Sequence, residues 1–363
     1  VGTLAEAMEL TLLGFLTPCA SLQFDLNHTQ TSFISAVLFL GGFFGSLFFG
    51  KLSDNYGRKF AYVLSLILIL LFGTGTYFCN SYVGLLLSLG GAGFGIGGCV
   101  APFDYLTEAV PAKFRGTSCM MSMLTYGIGS ISTTSLAWFI LDSNGWQFLS
   151  LCCMVPILVA LVGALICIPE SPRWLLIKGK QKEAIDALMT AANRNGVDLG
   201  SFTLKAPNQQ KSGNEIGVRA ICLKTTRKKT ILFATIWLCF GFGYFATVSE
   251  IPEVFMSKTS DGNACSFEYS HIFVSNLAEP LFALFALYFI EKSRRMTQAT
   301  AYFFAGFSLI VLGIKNMTST VLIVCAFSAR GFINVGSSAT WVATPESFPT
   351  EIRSITHSLF YNM

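Results

Sequence analysis

Four ionisable side chains stand inside long apolar runs of this sequence: Glu6, Glu9, Glu279 and Arg330. A charge in the hydrocarbon of a bilayer is costly, so an intramembrane charge is first a candidate pathway residue. Glu6 and Glu9 are three residues apart, which places both on one face of a helix. A carboxylate that faces a dry cavity can exchange a proton for a cationic solute. Glu279 and Arg330 admit a second reading, as a structural ion pair. Two glutamates on a pathway favour a cation, whereas an arginine favours a carboxylate, and the residues alone leave both open. Tyr244, Phe332 and Trp341 are candidate lining side chains, with plain aromatic packing as the alternative. Glu250 and Glu253 fall near the end of an apolar run, where solvated helix-end charges are the simpler account.

A second constellation lies between runs. Gly50-Lys51-Leu52-Ser53-Asp54-Asn55-Tyr56-Gly57-Arg58-Lys59 supplies glycines for a tight turn. Its Asp54 can accept hydrogen bonds from helix-end amides. Its Arg58 can pair with a carboxylate such as Glu108 across one face of the molecule. Such a latch holds one state of a conformational cycle and releases in the other. The arrangement recurs. Glu108-x-x-Pro111-x-x-x-Arg115 is repeated as Glu346-x-x-Pro349-x-x-x-Arg353, 238 residues on, and Asp54-x-x-x-Arg58 is echoed by Glu291-x-x-x-Arg295, 237 residues on. Two anchors with nearly one offset indicate an internal duplication, a mark of secondary transporters.

These residues are positioned by a chain of 363 residues that is 53% hydrophobic and only 12% charged. Soluble domains carry about 25% charged residues, so a water-soluble globule, a disordered chain and a nucleic-acid binder are excluded. Ten runs reach the roughly 20 residues that a spanning helix needs: 4–20, 32–50, 60–79, 82–106, 117–141, 147–169, 230–254, 270–290, 298–314 and 319–343, with an eleventh opening near Ser354. The expected architecture is all-α, with a six-helix bundle over 1–169, a cytoplasmic linker over 170–229 and an incomplete second bundle over 230–363. Because the first residue is Val and the last run is cut, truncation at both ends is expected. Placing the 51–59 loop in the cytoplasm puts 21 of the 24 Lys and Arg on that side, as the positive-inside rule requires. In the linker, Ala184, Ile185, Leu188, Met189 and Ala192 recur at helical spacing beside Lys180, Lys182 and Glu183, which predicts an amphipathic surface helix.

The 11 cysteines are scattered without a C-x-x-C pair or a histidine at metal-ligand spacing. Most of them read as small apolar packers, with Cys265 in a polar loop lacking an obvious partner. His28 and His271 have no company for a metal, and no cofactor is expected. Gly41, Gly42 and Gly45, like Gly93 and Gly97, lie on one helix face and predict close helix packing. Asn27-His28-Thr29 and Asn316-Met317-Thr318 are glycosylation acceptors on the predicted outer side; Asn316 sits close to the bilayer, leaving Asn27 as the candidate.

The loop Gly50–Lys59 resembles the signature G-x-L-x-D-x-x-G-R-K of the major facilitator superfamily. Glu6-Ala7-Met8-Glu9, Gly93-Phe94-Gly95-Ile96-Gly97-Gly98, Ile168-Pro169-Glu170-Ser171-Pro172-Arg173, Ala329-Arg330-Gly331-Phe332 and Thr344-Pro345-Glu346-Ser347-Phe348-Pro349 are similar to its synaptic-vesicle-protein-related branch and the organic-ion and sugar porters. The resemblance covers nearly the whole chain and implies two six-helix bundles that rock about a midplane site. It assigns Gly50, Asp54, Gly57, Arg58, Glu108, Arg115, Glu291, Arg295, Glu346 and Arg353 to conformational latches. Two departures stand out. Leu89 occupies a place where relatives carry an Arg associated with proton coupling, which puts proton coupling in doubt. The second-half loop Glu291–Arg295 lacks the motif's glycine, so its latch is degenerate.

The expected function is therefore secondary transport of a small organic ion or similar polar metabolite, with Glu6, Glu9, Glu279, Arg330 and Tyr244 as site residues. A proton or other ion is the candidate coupling partner, and a monomer in a plasma or vesicle membrane is expected. No nucleophile–base set is present, so catalysis is not expected. The alternative is a transporter fold that no longer transports and serves as a vesicle component or ligand receptor. A channel is disfavoured, because no filter-like segment is present.

Overall fold

In the computed structural model, the described residues are 2–99, 115–197, 224–257, 265–314 and 317–348, with positions 102, 105, 106, 110 and 360. They form helices α1 (Gly2–Gln23), α2 (His28–Tyr56), α3 (Arg58–Tyr77), α4 (Tyr82–Ile96, continued as a 3-10 turn Gly97–Cys99), α5 (Arg115–Cys167), α6 (Pro172–Ile177) and α7 (Gln181–Arg194). After the linker come α8 (Lys224–Val254), α9 (Tyr269–Lys292), α10 (Arg294–Leu312) and α11 (Ser319–Ser347). A two-residue antiparallel ladder, β1 (Met256–Ser257) with β2 (Ser266–Phe267), joins α8 to α9. This small strand pair is the one departure from an all-helical chain among the described residues.

Seven helices are long and apolar enough to cross a membrane: α2, α3, α4 with its 3-10 turn, α5, α8, α9 and α11. Helix formation is forced there, because only a helix satisfies every backbone group from within one segment in hydrocarbon. α5 holds two helices on either side of Gly145, whose φ of +77° breaks the helical run. That break falls between the two runs predicted over 117–141 and 147–169. α1 is buried almost without interruption from Ala5 to Leu16, so it is enclosed by its neighbours rather than by lipid.

Where lipid offers no hydrophobic drive, helices associate through close packing and interhelical hydrogen bonds. α2 and α4 show the first device. A methyl group on Gly93 would run into the carbonyl of Leu38, and one on Gly45 into the carbonyl of Phe94. The glycine stripes are thus contact surfaces between backbones, as their spacing indicated. α1 and α5 show the second device: Thr3 and Thr125 hydroxyls lie 2.7 Å apart, and Thr11 donates to Ser130 at 3.3 Å.

α5 also faces the second half. Asn276 of α9 donates to the Thr134 hydroxyl and, at 3.4 Å, to the Ser130 carbonyl. Gly127 takes the ring of Pro280 at close range. On the other side of the seam, Gly14 of α1 packs on the Val248 carbonyl and the Pro252 ring of α8. Two helix pairs, α1 with α8 and α5 with α9, therefore carry much of the described contact between the halves.

The linker helix is present as predicted. α7 buries Ala184 and Ala192, and Arg194 donates to the Cys167 carbonyl at 3.0 Å, which ties it to the end of α5.

The cysteines require a correction. Cys19, in α1, is bonded to Cys265, with Cα atoms 5.3 Å apart across 246 residues of sequence. Cys265 therefore has a partner, and Cys19 is not a simple packer. Spacing could not reveal this pair, because the helices that bring it together are distant in the chain.

Candidate solute site and inner latch

A cavity of about 360 Å³ lies between the halves. Its lining includes Gly2, Glu6 and Leu10 of α1, Tyr62 of α3, Ser122 and Tyr126 of α5, Phe240, Tyr244 and Phe245 of α8, and Asn334, Ser337 and Trp341 of α11. Gly2, Tyr62, Ile168 and Trp341 sit toward the helix ends that the count of basic residues predicts to be cytoplasmic. Aromatic rings form its wall. Tyr126 and Tyr244 meet edge to face at 6.0 Å, Tyr244 and Phe240 lie at 5.8 Å, and Trp341 packs on Trp237 at 5.2 Å.

The opposite, outer end is closed by contacts between the halves. Phe15 meets Phe267 edge-on at 5.3 Å. The Tyr269 ring stacks on Trp138 at 6.5 Å, and its hydroxyl donates to Asp142 Oδ1 at 2.6 Å. The Cys19–Cys265 bond lies in the same layer. Among the described residues, contacts between the halves close the outer end, and the cavity lies toward the other end.

The predicted site residues separate into two sets. Glu6 and Tyr244 line the cavity. Glu279 and Arg330 are brought together but outside the lining: Arg330 Nη1 donates to Glu279 Oε1 at 2.7 Å, and each side chain is only 1% exposed. Arg330 Nε and Nη2 have no further hydrogen-bond partner among the described residues. Glu9 is also buried, away from the lining, with Oε1 unpartnered among the described residues. Glu6 and Glu9 thus share a helix but not an environment. Tyr126 and Asn276, neither singled out from sequence, contribute a cavity wall and a buried seam contact respectively.

At the inner face, the described contacts of the motif residues give Asp54 a part other than the one expected, while the expected partner of Arg58, Glu108, lies outside the described residues. Arg58 Nη1 bonds Asp54 Oδ1 at 2.6 Å and Ser53 Oγ at 2.9 Å, a contact one helical turn long. The helix-end amides are not served by Asp54. Instead, Glu170 Oε1 accepts from the Arg58 and Lys59 backbone N–H groups at 2.7 and 3.2 Å. An anion at the start of α3 is favoured there by the unsatisfied amides of the first turn. Gly57 adopts φ of +113°, and an added methyl would strike the Glu170 carboxylate. Trp174 Nε1 donates to the Asp54 carbonyl at 2.9 Å, and Lys59 Nζ to the Leu165 carbonyl at 3.0 Å. Gly50, by contrast, is helical within α2 and has open space around it. It therefore makes no turn, contrary to expectation.

Glu108 and Arg353 lie outside the described residues, as do the side chains of Arg115, Glu291 and Glu346. In the second-half loop, Arg295 is exposed. The Thr297 hydroxyl closes that junction by donating to the carbonyls of Phe289 and Ser293 at 3.0 and 2.8 Å. No group of three or more potential metal ligands occurs among the described residues. Asn27 is exposed and accepts from the Gln30 N–H at 2.9 Å, capping α2.

A family model described as sugar (and other) transporter matches residues 6–363. The synaptic vesicle 2-related protein of Xenopus laevis is 28% identical over 372 residues, covering 97% of this chain and 67% of that protein. Organic cation/carnitine transporter 7 of Arabidopsis thaliana is 24% identical over 395 residues, covering 98% of this chain and 79% of its own. Among solved structures, the partially occluded inward open conformation of the xylose transporter XylE from E. coli superposes with a TM-score of 0.77 at 17% identity. That superposition covers 99% of this chain and 87% of the other. At this identity the likeness is one of fold.

Proposed function

The chain belongs to the sugar (and other) transporter family, and we propose that it carries a small organic cation by rocking two bundles about the central cavity. It is a multi-pass membrane protein and a secondary transporter, which favours transport over the non-transporting receptor reading. The two rocking units are residues 1–169 and 230–363, joined by the 170–229 linker. The transport step itself needs no covalent chemistry; the work is conformational.

The observation that carries the choice of a cation is the lining. Among the described residues, Glu6 is the acidic side chain on the cavity wall, and Tyr126, Tyr244, Phe240, Phe245 and Trp341 surround the same space. Aromatic faces attract a cation by roughly 0.5–2 kcal/mol each, more when water is excluded. The one cation of the nearby spans, Arg330, is paired to Glu279 and stands outside the lining. This weighs against a carboxylate as the solute. A volume near 360 Å³ falls within the range of small-molecule pockets, about 300–1,000 Å³. Asn334 and Ser337 add hydrogen-bonding groups that could orient the solute.

We assign Asp54, Arg58, Glu170 and the glycine turn at Gly57 to the inner latch. Whether a proton or another ion is coupled rests on Glu6 and Glu9, the carboxylates of α1. The test is a thermal-shift screen of the purified protein against quaternary amines, carboxylates and sugars. A ligand present at 100 times its Kd stabilises by about 2.7 kcal/mol. Amines should raise the melting temperature in the wild type and not in Glu6→Gln. Stabilisation by sugars or carboxylates alone would contradict the cation assignment.

A further inference from the structure

The outer gate of this molecule contains one contact that differs in kind from the rest. Phe15 on Phe267, Trp138 on Tyr269, and Tyr269 on Asp142 are non-covalent and part when the halves separate. The Cys19–Cys265 bond joins the outer end of α1 to the segment just before α9, one residue in each half. A covalent tether could be harmless if one end hung on slack chain, but here neither end does. Cys19 is buried within α1. Cys265 is followed at once by β2, which pairs with β1 directly after α8, and the Glu268 N–H donates to the Phe255 carbonyl at 2.8 Å. Both sulfurs are therefore fixed to helix ends that must move apart for the cavity to open outward.

The bond is also within reach of small molecules. Cys19 and Cys265 both line an outer vestibule of about 660 Å³, together with Gln23, Asp142 and Trp146. Its position on the side opposite the basic loops matches the compartment in which disulfides persist.

We propose that Cys19–Cys265 is a thiol-exchange site that locks the outer gate: oxidised, the protein rests inward-facing, and reduced, it is released to open outward. This rests on the alternating-access reading above. The reductant is a low-molecular-weight thiol entering the vestibule. Its thiolate attacks the Cys265 sulfur, the sulfur–sulfur bond breaks, and Cys19 leaves as a thiolate that takes up a proton. A second thiol attacks the resulting mixed disulfide, freeing the Cys265 thiol and releasing the small-molecule disulfide. Two thiols thus supply the two electrons, and a small disulfide reverses the sequence. With Cys19 held in α1 and Cys265 beside the strand ladder, the two sulfurs return to the same partner when the gate closes.

The experiment is hydrogen–deuterium exchange with peptide mass analysis on the purified protein. It compares the protein as isolated, the protein treated with a water-soluble phosphine, and the Cys19→Ser/Cys265→Ser variant. Reduction should speed exchange several-fold in the outer ends of α1 and α9 and slow it at the inner ends of α1 and α11. The variant should show the same pattern without reductant and no response to phosphine. Because phosphine acts on the folded wild type, the test survives a variant that fails to fold. Identical exchange before and after verified reduction would overturn the proposal, as would free thiols at both positions in protein isolated without reductant. An Asp142→Ala control separates the two ways of failing. If it shows the outward pattern while reduction does not, the lock is wrong and the carrier stands. If neither shows it, the carrier reading fails with the lock.

Discussion

Glu279 and Arg330 bury opposite charges at 2.7 Å, each side chain only 1% exposed. Removing one partner strands the other, which in buried pairs costs about 3–5 kcal/mol. Glu279→Gln should therefore lower thermal stability strongly, and Arg330→Met should do the same. The combined Glu279→Leu/Arg330→Met protein should recover much of the loss, because replacing a whole buried pair by apolar residues is often neutral. Tryptophan-fluorescence melting of the three variants in detergent checks this, and a double variant no more stable than the singles would contradict it. The charges themselves were legible in sequence, since an ionised group in an apolar run is conspicuous. That Glu6 lines the cavity while Glu9, three residues on, is sealed behind it was not legible. The helix face common to both is wide enough to straddle a boundary that only tertiary packing draws.

The turn between α2 and α3 depends on one backbone conformation and one distant carboxylate. Gly57 at φ +113° needs a residue without a β-carbon, and the same space holds Glu170. Gly57→Ala should thus destabilise through both strain and collision, by more than the roughly 1 kcal/mol of a left-handed residue alone. Glu170→Ala removes the acceptor of two helix-end amides and should cost about 1–2 kcal/mol. Melting temperatures of both variants, with Glu170→Asp as a partial rescue, test the assignment. Between α2 and α4 the tolerance is smaller. Gly93→Leu would push a side chain into the Leu38 backbone, and we expect loss of monodisperse protein on size-exclusion chromatography, where Leu89→Ile should elute normally. Close packing at these glycines was readable from their four-residue spacing, because it has a local signature, whereas the pairing of α2 with α4 was not. The Glu170 cap was not, although its motif was plain, because the amides it serves lie 112 residues upstream.

At the scale of the molecule, the duplicated motifs and the basic-residue asymmetry foretold two halves facing a shared cavity, and the family supports that reading. The pairing of Cys19 with Cys265 and the Tyr269–Asp142 bond were invisible in sequence. Both are long-range contacts that exist only once α1 with α8 and α5 with α9 form the seam. Together they hold the outer ends of the two halves together in this structure. Whether the cycle moves an organic cation is the central claim. It is tested most directly by counterflow in proteoliposomes preloaded with an unlabelled quaternary amine, with the tether reduced. The account predicts saturable accumulation of labelled amine, competed by other amines but not by carboxylates or sugars, and at least tenfold slower in Glu6→Gln. Uptake at the wild-type rate in Glu6→Gln, or accumulation of a carboxylate or sugar in place of the amine, would contradict it.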